Sequence, residues 1–192
     1  MLSLVMIINL FNPSLSVSMM LPDNSTSDSY QYMYNIEFVN VFTKNDPTVG
    51  LFLDYFLKDE YMHYPDYFLY SGYPLTLRAG GGGIQLKLNT NHIVEWDFKI
   101  GYFAGGLSYP TTVDSGIVTR ETLSRASLGA GAAMNILKEI GHFRIGIKIS
   151  GNLIPFGQRS GPVEHIPLYL SGTSLNTFGV GITIAARRQE AP

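Results

Sequence analysis

Strict alternation of apolar and polar residues constrains this chain more than any other feature. In the segment HIVEWDFKIGYF, apolar residues from Val94 to Tyr102 alternate with Glu95, Asp97 and Lys99. A period of two places successive side chains on opposite faces of a strand, whereas a helix would spread them around its circumference. The same alternation recurs in five further clear or weaker segments, at 49–58, 84–89, 126–136, 143–150 and, in the C-terminal part, 178–185. The sequence therefore predicts an all-β fold.

The connections between these strands alternate in length. The short ones are predicted at 44–48, 89–92 and 138–141, and the long ones, rich in Ser, Tyr, Pro and Gly, at 22–31, 59–73, 107–116 and 155–164. This order is typical of an up-and-down antiparallel meander. With a first strand at 14–21 and one long strand over 164–187, the strand count is eight. If a signal peptide were cleaved near Ser18, the first strand would be lost and 164–187 would have to split near Gly172.

The N-terminus leaves two interpretations open. Residues 1–22 carry no charge, and Met1 to Phe11 is strongly apolar. This run is shorter than the about 20 residues that a spanning helix needs. It is either a signal peptide, or its remnant, or an apolar arm. We therefore expect three parts: the N-terminal segment 1–13, a barrel domain over 14–187 and a polar tail at 188–192.

Composition excludes several classes of protein. Net charge is −2 with only 13 Lys and Arg, which argues against nucleic acid as a partner. The chain has no cysteine, so disulfides and thiolate metal sites are excluded. The four histidines show no metal-ligand spacing, and we predict no catalytic residue, no metal and no cofactor.

A run of four glycines, Gly80 to Gly83, lacks the Gly-Lys-Ser/Thr ending of a phosphate-binding loop. The apolar positions change parity between Leu77 and Ile84, on either side of the run. A change of parity at glycines indicates a β-bulge or a sharp bend. The sequence thus predicts a distortion of the strand at this point.

Taken together, the alternating strands and the alternating connections resemble the small eight-stranded outer-membrane β-barrels of the OmpA/OmpX-like family. The resemblance covers the chain from about Ser14 to Arg187. It implies a closed, antiparallel, transmembrane barrel in the bacterial outer membrane, with apolar side chains facing lipid and polar side chains facing the lumen. It also implies short turns at one end and longer external loops at the other.

The charged residues of the polar faces would then meet inside the barrel. By parity, five acids and six bases are predicted to form a lumen ion network: Glu37, Asp54, Arg78, Lys87, Glu95, Asp97, Lys99, Glu121, Arg125, Arg144 and Lys148. Buried charges need partners, and eight strands enclose an interior just wide enough for side chains. The balanced set therefore predicts a plugged lumen that does not conduct ions.

The predicted loop at 59–73 has a tyrosine at every third position. These residues are Tyr61, Tyr64, Tyr67, Tyr70 and Tyr73. Exposed tyrosines provide a large contact area at low entropic cost, which favours a recognition surface. The alternative is an aromatic belt at the membrane interface.

The resulting functional hypothesis is a non-enzymatic outer-membrane barrel that interacts through its loops. Its role would be structural or adhesive, or that of a subunit in a larger envelope complex, with membrane lipid and other envelope proteins as partners. The alternative is a soluble, lipocalin-like barrel that binds an apolar ligand in its centre.

Overall fold

Eight antiparallel strands make up most of the part of the chain that the computed structural model describes, namely residues 12–22, 33–42, 46–61, 74–89, 93–114, 117–155 and 176–186. In chain order they are β1 (Asn12–Pro22), β2 (Met33–Val41), β3 (Thr48–Tyr61), β4 (Pro74–Asn89), β5 (Val94–Asp114), β6 (Ile117–Ile140), β7 (Phe143–Leu153) and β8 (Thr177–Ala186). Over these ranges there is no helix that is long and apolar enough to cross a membrane.

The strands form a closed barrel, because each pairs with its neighbour in the chain and β8 pairs with β1. Leu15 lies opposite Ile184 at this closure. The predicted all-β, eight-stranded, up-and-down barrel is confirmed. We call the end that carries the β6–β7 hairpin turn the turn side, and the end where β1 finishes and β2 begins the loop side.

The β6–β7 turn is shorter than the predicted turn at 138–141 and lies closer to the C-terminus. β6 continues to Ile140, and Gly141 and His142 form the turn. Gly141 has a φ of 60°, a left-handed conformation that glycine adopts without a steric penalty. A two-residue hairpin of this kind requires such a residue, which explains its place in the sequence.

The prediction of a long loop at 107–116 is wrong. β5 runs to Asp114 and β6 starts at Ile117, and the two strands pair up to that point. Pro110 suggested a loop because proline cannot donate to a strand ladder. The register instead shifts between Pro110 and Thr112, and this irregularity accommodates the proline within a longer strand.

The predicted bulge at Gly80–Gly83 is also absent. These four glycines pair in unbroken register with β3 on one side and β5 on the other. The change of apolar parity arises because the barrel interior changes character: Leu77 packs against a buried apolar cluster, whereas Gln85 faces a polar region. The backbone itself continues without distortion.

The strand boundaries at the two ends of the chain differ slightly from expectation. β1 begins at Asn12, inside the segment 1–13, and β8 covers Thr177–Ala186. The rest of the long strand expected over 164–187 lies mostly outside the described residues.

Large apolar side chains cover the outer wall. Trp96, Phe98 and Ile100 are 41%, 44% and 60% exposed, and Ile147, Val180 and Ile182 are exposed to a similar degree. Their neighbours in sequence, such as Asp97 and Lys148, are buried. The alternation in sequence therefore separates an apolar outer wall from a polar interior.

Candidate functional site in the barrel lumen

Two groups of ion pairs occupy the barrel lumen. The first, the central cluster, consists of Glu37, Asp54, Lys99 and Lys148. Lys99 Nζ lies 2.7 Å from Glu37 Oε2 and 2.5 Å from Asp54 Oδ2, and Lys148 Nζ donates to Glu37 Oε1. Asn35 Nδ2 also donates to Asp54 Oδ1 at 3.2 Å. With two acids and two bases, the central cluster has no net charge.

The register explains why Lys99 is needed. Glu37 of β2 and Asp54 of β3 lie directly opposite each other on the inward face. Like charges in this position destabilise a sheet. Lys99 of β5 reaches both carboxylates across the barrel, and its side chain is only 5% exposed. Closure of the sheet thus brings a cation to two carboxylates that would otherwise repel each other.

The second group, the turn-side cluster, consists of Lys87, Glu95, Asp97 and Arg144. Lys87 Nζ lies 3.2 Å from Glu95 Oε2 and 3.8 Å from Asp97 Oδ1, and Arg144 donates to Glu95 Oε1. Asn135 Nδ2 donates to Asp97 Oδ2 at 2.7 Å. This cluster is also neutral, so the barrel buries two balanced sets of charges rather than one extended chain.

Apolar side chains fill another part of the lumen. The largest of them, which we call the aromatic cluster, are Met20, Met33, Phe52, Phe56, Phe103 and Ile154. The Phe103 ring centroid lies 5.9 Å from that of Phe52 and 6.3 Å from that of Phe56. Lys99 Nζ is 5.3 Å from the Phe52 ring centroid, a cation–π distance. The aromatic cluster therefore contacts the central cluster directly.

Glycines of the barrel wall make room for the aromatic cluster. A Cβ atom added to Gly81 would overlap the Phe103 ring, and one added to Gly129 would lie 2.9 Å from Phe103 Cδ2. Gly81 and Gly129 face inward on β4 and β6, on either side of Phe103. The glycine run of β4 is thus a surface on which an aromatic ring packs, and the parity of Phe52, Phe56 and Phe103 in the sequence was the signal for their inward position.

Of the eleven residues predicted for the lumen network, the structure places eight in the two clusters, and it places Arg78 and Arg125 elsewhere. Arg78 lies on the outer face, because its neighbours Leu77 and Ala79 face the apolar interior. Arg125 is half-buried on the inward face opposite Gly105, and the Glu121 side chain lies outside the described part. Asn35 and Asn135, which complete the clusters, were not predicted because amides show no charge pattern.

Charge is nearly absent from the outer wall. Among the strand side chains that the structure describes, the outward positions carry charges only at Arg78, towards the loop side, and at Lys138, near the turn. Tyr34, Tyr55 and Tyr102 are 44–59% exposed on the same wall. Tyr61 is the last residue of β3, and Tyr64, Tyr67, Tyr70 and Tyr73 lie outside the described residues.

Comparison with known proteins identifies the fold. The sequence matches no protein-family model and no curated protein. The structure is similar to the crystal structure of Ail, the attachment invasion locus protein of Yersinia pestis, in complex with the heparin analogue sucrose octasulfate. The TM-score is 0.54 at 13% identity, over 91% of this chain and 98% of Ail.

A second similar structure is that of Neisserial surface protein A. Its TM-score is also 0.54, at 12% identity, over 93% of this chain and 97% of the other. Both neighbours are eight-stranded barrels of the outer membrane. This chain therefore has the fold of the small eight-stranded outer-membrane β-barrels.

Proposed function

We propose that this protein is a non-enzymatic barrel of the bacterial outer membrane, with a plugged lumen and an interaction surface at its loop side. The observation that carries the proposal is the inverted distribution of side chains. Glu37, Glu95 and Lys148 are 1–2% exposed, whereas Leu53 and Ile182 are more than 60% exposed. Such a closed barrel satisfies its backbone hydrogen bonds internally and presents hydrocarbon to lipid.

The same distribution argues against a soluble carrier of apolar ligands. A carrier of that type needs an apolar cavity inside and a polar surface outside. Here the middle and the turn side of the lumen hold eight charged groups, and the aromatic cluster consists of side chains packed against one another. The outer wall would expose a large apolar surface to water.

The membrane proposal is tested by extraction and by gel mobility. We expect the protein to leave the envelope fraction only with detergent and to run faster on a gel when it is not heated, because the closed barrel stays folded. Purification from the aqueous fraction without detergent would contradict the proposal.

The two ion clusters and the aromatic cluster support a plugged lumen. The eight charged groups are paired at distances of 3.8 Å or less, and Phe52, Phe56 and Phe103 pack against one another beside them. In an eight-stranded barrel little space remains for water. We expect no steady conductance from the purified protein in planar lipid bilayers. A reproducible channel would contradict this part of the proposal while leaving the membrane location intact.

The β5–β6 hairpin supports a role in interaction. The last residue of β7 that pairs with β6 is Leu153, opposite Ala130, whereas β6 begins at Ile117. Thirteen residues of β6, 117–129, therefore extend beyond the described part of β7 and pair with β5. A hairpin of this length projects beyond the described end of β7 on the loop side. β3 ends at Tyr61 and β4 begins at Pro74 on the same side, and the tyrosine-rich segment 59–73 connects these two strands in the sequence.

Adhesion, or docking in an envelope complex, is the role that such a surface would serve. Ail was crystallised with a heparin analogue. Segment 59–73 of this chain contains Asp59, Glu60 and Asp66 and no Lys or Arg, so it does not suit a sulfated ligand of that kind. We expect a surface that recognises protein through its tyrosines.

Cell adherence tests this role. Cells that display the protein are compared with cells that display a variant whose residues 62–72 are replaced by a Gly-Ser segment of equal length. Replacement of residues 23–32 in the same way is the matched control. We expect only the variant with residues 62–72 replaced to lose adherence, or to lose cross-linking to another envelope protein. Equal behaviour of the two variants would contradict a role for the tyrosines.

A further inference from the structure

The pairing of β8 with β1, which we call the seam, differs from every other strand pairing in the described part of the barrel. Each of the others joins strands that follow one another in the chain, whereas the seam joins the first strand to the last. Ser16 and Thr183 lie opposite each other there, although 167 positions separate them. Contacts between such distant residues cost the most chain entropy to form, so we expect the seam to form last and to open first.

Small side chains cover the inner face of the seam. Its first three inward pairs, counted from the turn side, are Ser14 with Ala185, Ser16 with Thr183 and Ser18 with Gly181. None of them is charged or larger than threonine, and a Cβ added to Gly181 would overlap the Ser18 side chain. Such small side chains bury little apolar area, so these positions contribute little packing to the closure of the barrel.

One ion pair crosses the seam in the described part of the barrel. Lys148 of β7 donates to Glu37 Oε1 of β2, and β8 and β1 lie between these two strands. Lys148 is paired with Gly181 of β8, which in turn is paired with Ser18 of β1. The long lysine side chain therefore passes over the small residues of the seam and connects β7 to β2.

The other ion pairs that join described residues do not cross the seam. Lys99 of β5 reaches Glu37 with β3 and β4 between them, and the turn-side cluster joins β4, β5 and β7. Ser150 Oγ of β7 also reaches β1, but its partner Met20 Sδ, 3.7 Å away, is a weak acceptor. Opening of the seam would therefore separate Lys148 from Glu37 and leave the other ion pairs on one side of the opening.

We propose that the Lys148–Glu37 pair is a strap that holds the barrel closed at the seam. Both side chains are buried, at 2% exposure each, and a buried charge that loses its partner is costly. The strap therefore opposes the parting of β8 from β1, whereas Lys99 binds the same carboxylate without spanning the seam. It follows from the closure of the barrel and not from a location in a membrane, so it is testable in detergent micelles.

Thiol labelling tests the strap, because the chain contains no cysteine of its own. Ser18→Cys places one thiol on the inner face of the seam, where Ser18 is 1% exposed, so a reagent reaches it only when the barrel opens. Ala133→Cys is the matched probe on the inner face of β6, away from the seam, where Ala133 is 7% exposed. The rate at which a small water-soluble thiol reagent labels each folded protein is measured with and without Lys148→Met.

Lys148→Met should accelerate labelling of the Ser18→Cys probe at least roughly tenfold more than labelling of the Ala133→Cys probe, because the pair that is lost spans the seam. Lys99→Met is the matched control, since it removes the other cation of Glu37. It should accelerate labelling of both probes to a similar degree. Equal acceleration of the two probes by Lys148→Met would overturn the proposal, as would the same preference for the seam probe with Lys99→Met.

Glu37→Gln identifies the group through which Lys148 acts. Once the carboxylate is replaced, Lys148→Met should change the labelling rate of the Ser18→Cys probe by less than roughly twofold, because the two substitutions disrupt the same interaction. An undiminished acceleration in the Glu37→Gln background would show that Lys148 acts through a different group, and the proposal would be wrong.

A disulfide replaces the labelling test if Lys148→Met does not form a barrel. Val17→Cys and Ile182→Cys lie opposite each other on the outer wall, across the seam. Ile100→Cys and Ala130→Cys are the matched pair, across β5 and β6. Oxidation of the first pair should restore the gel mobility of the unheated, folded barrel, and oxidation of the second pair should not. Restoration by both disulfides, or by neither, would overturn the proposal.

Discussion

The turn-side cluster and the aromatic cluster are both buried, but the first is ionic and the second is apolar. In the turn-side cluster, Lys87 and Glu95 are 7% and 1% exposed, and in the aromatic cluster, Phe56 and Phe103 are 0% exposed. Ionic groups need specific partners at specific distances, because an unpaired buried charge is costly. Aromatic rings need only volume and shape. The comparison teaches that substitutions in the two clusters of one barrel interior should change stability to very different degrees.

The largest expected effect is in the central cluster, where the two chemistries meet. Lys99→Met keeps the length of the side chain but leaves Glu37 and Asp54 with Lys148 as their only cation. The free energy of unfolding should fall by about 3–5 kcal/mol. Urea unfolding in detergent, followed by the shift in gel mobility, measures the change.

Two controls sharpen this prediction. Lys138→Met, at an exposed position on the outer wall, should change stability by less than about 0.5 kcal/mol. Adding Asp54→Asn to Lys99→Met removes one acid as well as one base, so the cluster is neutral again and part of the loss should be recovered. Equal losses for Lys99→Met and Lys138→Met would show that the lumen charges are not coupled.

In the aromatic cluster, a substitution at a glycine of the wall should lower stability more than a substitution of an aromatic ring. Gly81→Ala introduces a Cβ that overlaps the Phe103 ring, and it should cost about 2–3 kcal/mol. Gly80→Ala is the matched control, since its added Cβ would meet only ordinary contacts on the outer side. Combined with Phe103→Leu, the Gly81→Ala substitution should cost clearly less than alone, which a double-mutant cycle measures. Strict additivity would exclude the ring–glycine contact.

A smaller effect is expected in the turn-side cluster. Arg144→Ala removes one of the two cations of Glu95, but the Arg144 side chain is 12% exposed and lies near the barrel end, where water screens the remaining charge. The loss should be about 2 kcal/mol, below that of Lys99→Met in the same unfolding assay. Arg144→Lys keeps the charge and should restore most of it. A loss larger than that of Lys99→Met would reverse the order of the two clusters.

The smallest effect is expected for Phe103→Leu alone. Leucine remains apolar and fills most of the ring's volume, so unfolding should be easier by only about 1 kcal/mol. This value compares a shape change in the aromatic cluster with a charge change at Lys99, whose Nζ lies 5.3 Å from the ring centroid of Phe52 in the same cluster. If Phe103→Leu and Lys99→Met lower the free energy of unfolding equally, the ionic and the apolar side chains of the lumen do not differ in their tolerance of substitution.

The recognition of polar and apolar faces needed no structure. Alternation around Asp97 and Lys148 predicted which side chains point inward, because a period of two leaves no other arrangement in a strand. The same reasoning predicted eight strands and their meander. It failed at Gly80–Gly83, where the glycine run suggested a break but pairs with strands on both sides. It also failed at 107–116, where a proline suggested a loop but β5 and β6 continue to pair with each other.

The sequence did not predict which charged residues pair with each other inside the lumen. Glu37 pairs with Lys148, 111 positions away, and with Lys99, 62 positions away. Such contacts depend on strand tilt and on the stagger with which β8 meets β1, and neither leaves a trace in a period-two pattern.

The sequence by itself determined that this chain forms amphipathic strands with an apolar and a charged face, because side-chain direction in a strand follows directly from position. Only the tertiary structure decided that the charges divide into two neutral clusters, and that Leu77 and Ala79 face inward while Arg78 faces outward. The physical reason is closure: when β8 pairs with β1, residues from distant strands are forced into one narrow space, and their sizes and charges must then fit each other rather than the pattern of their own strand.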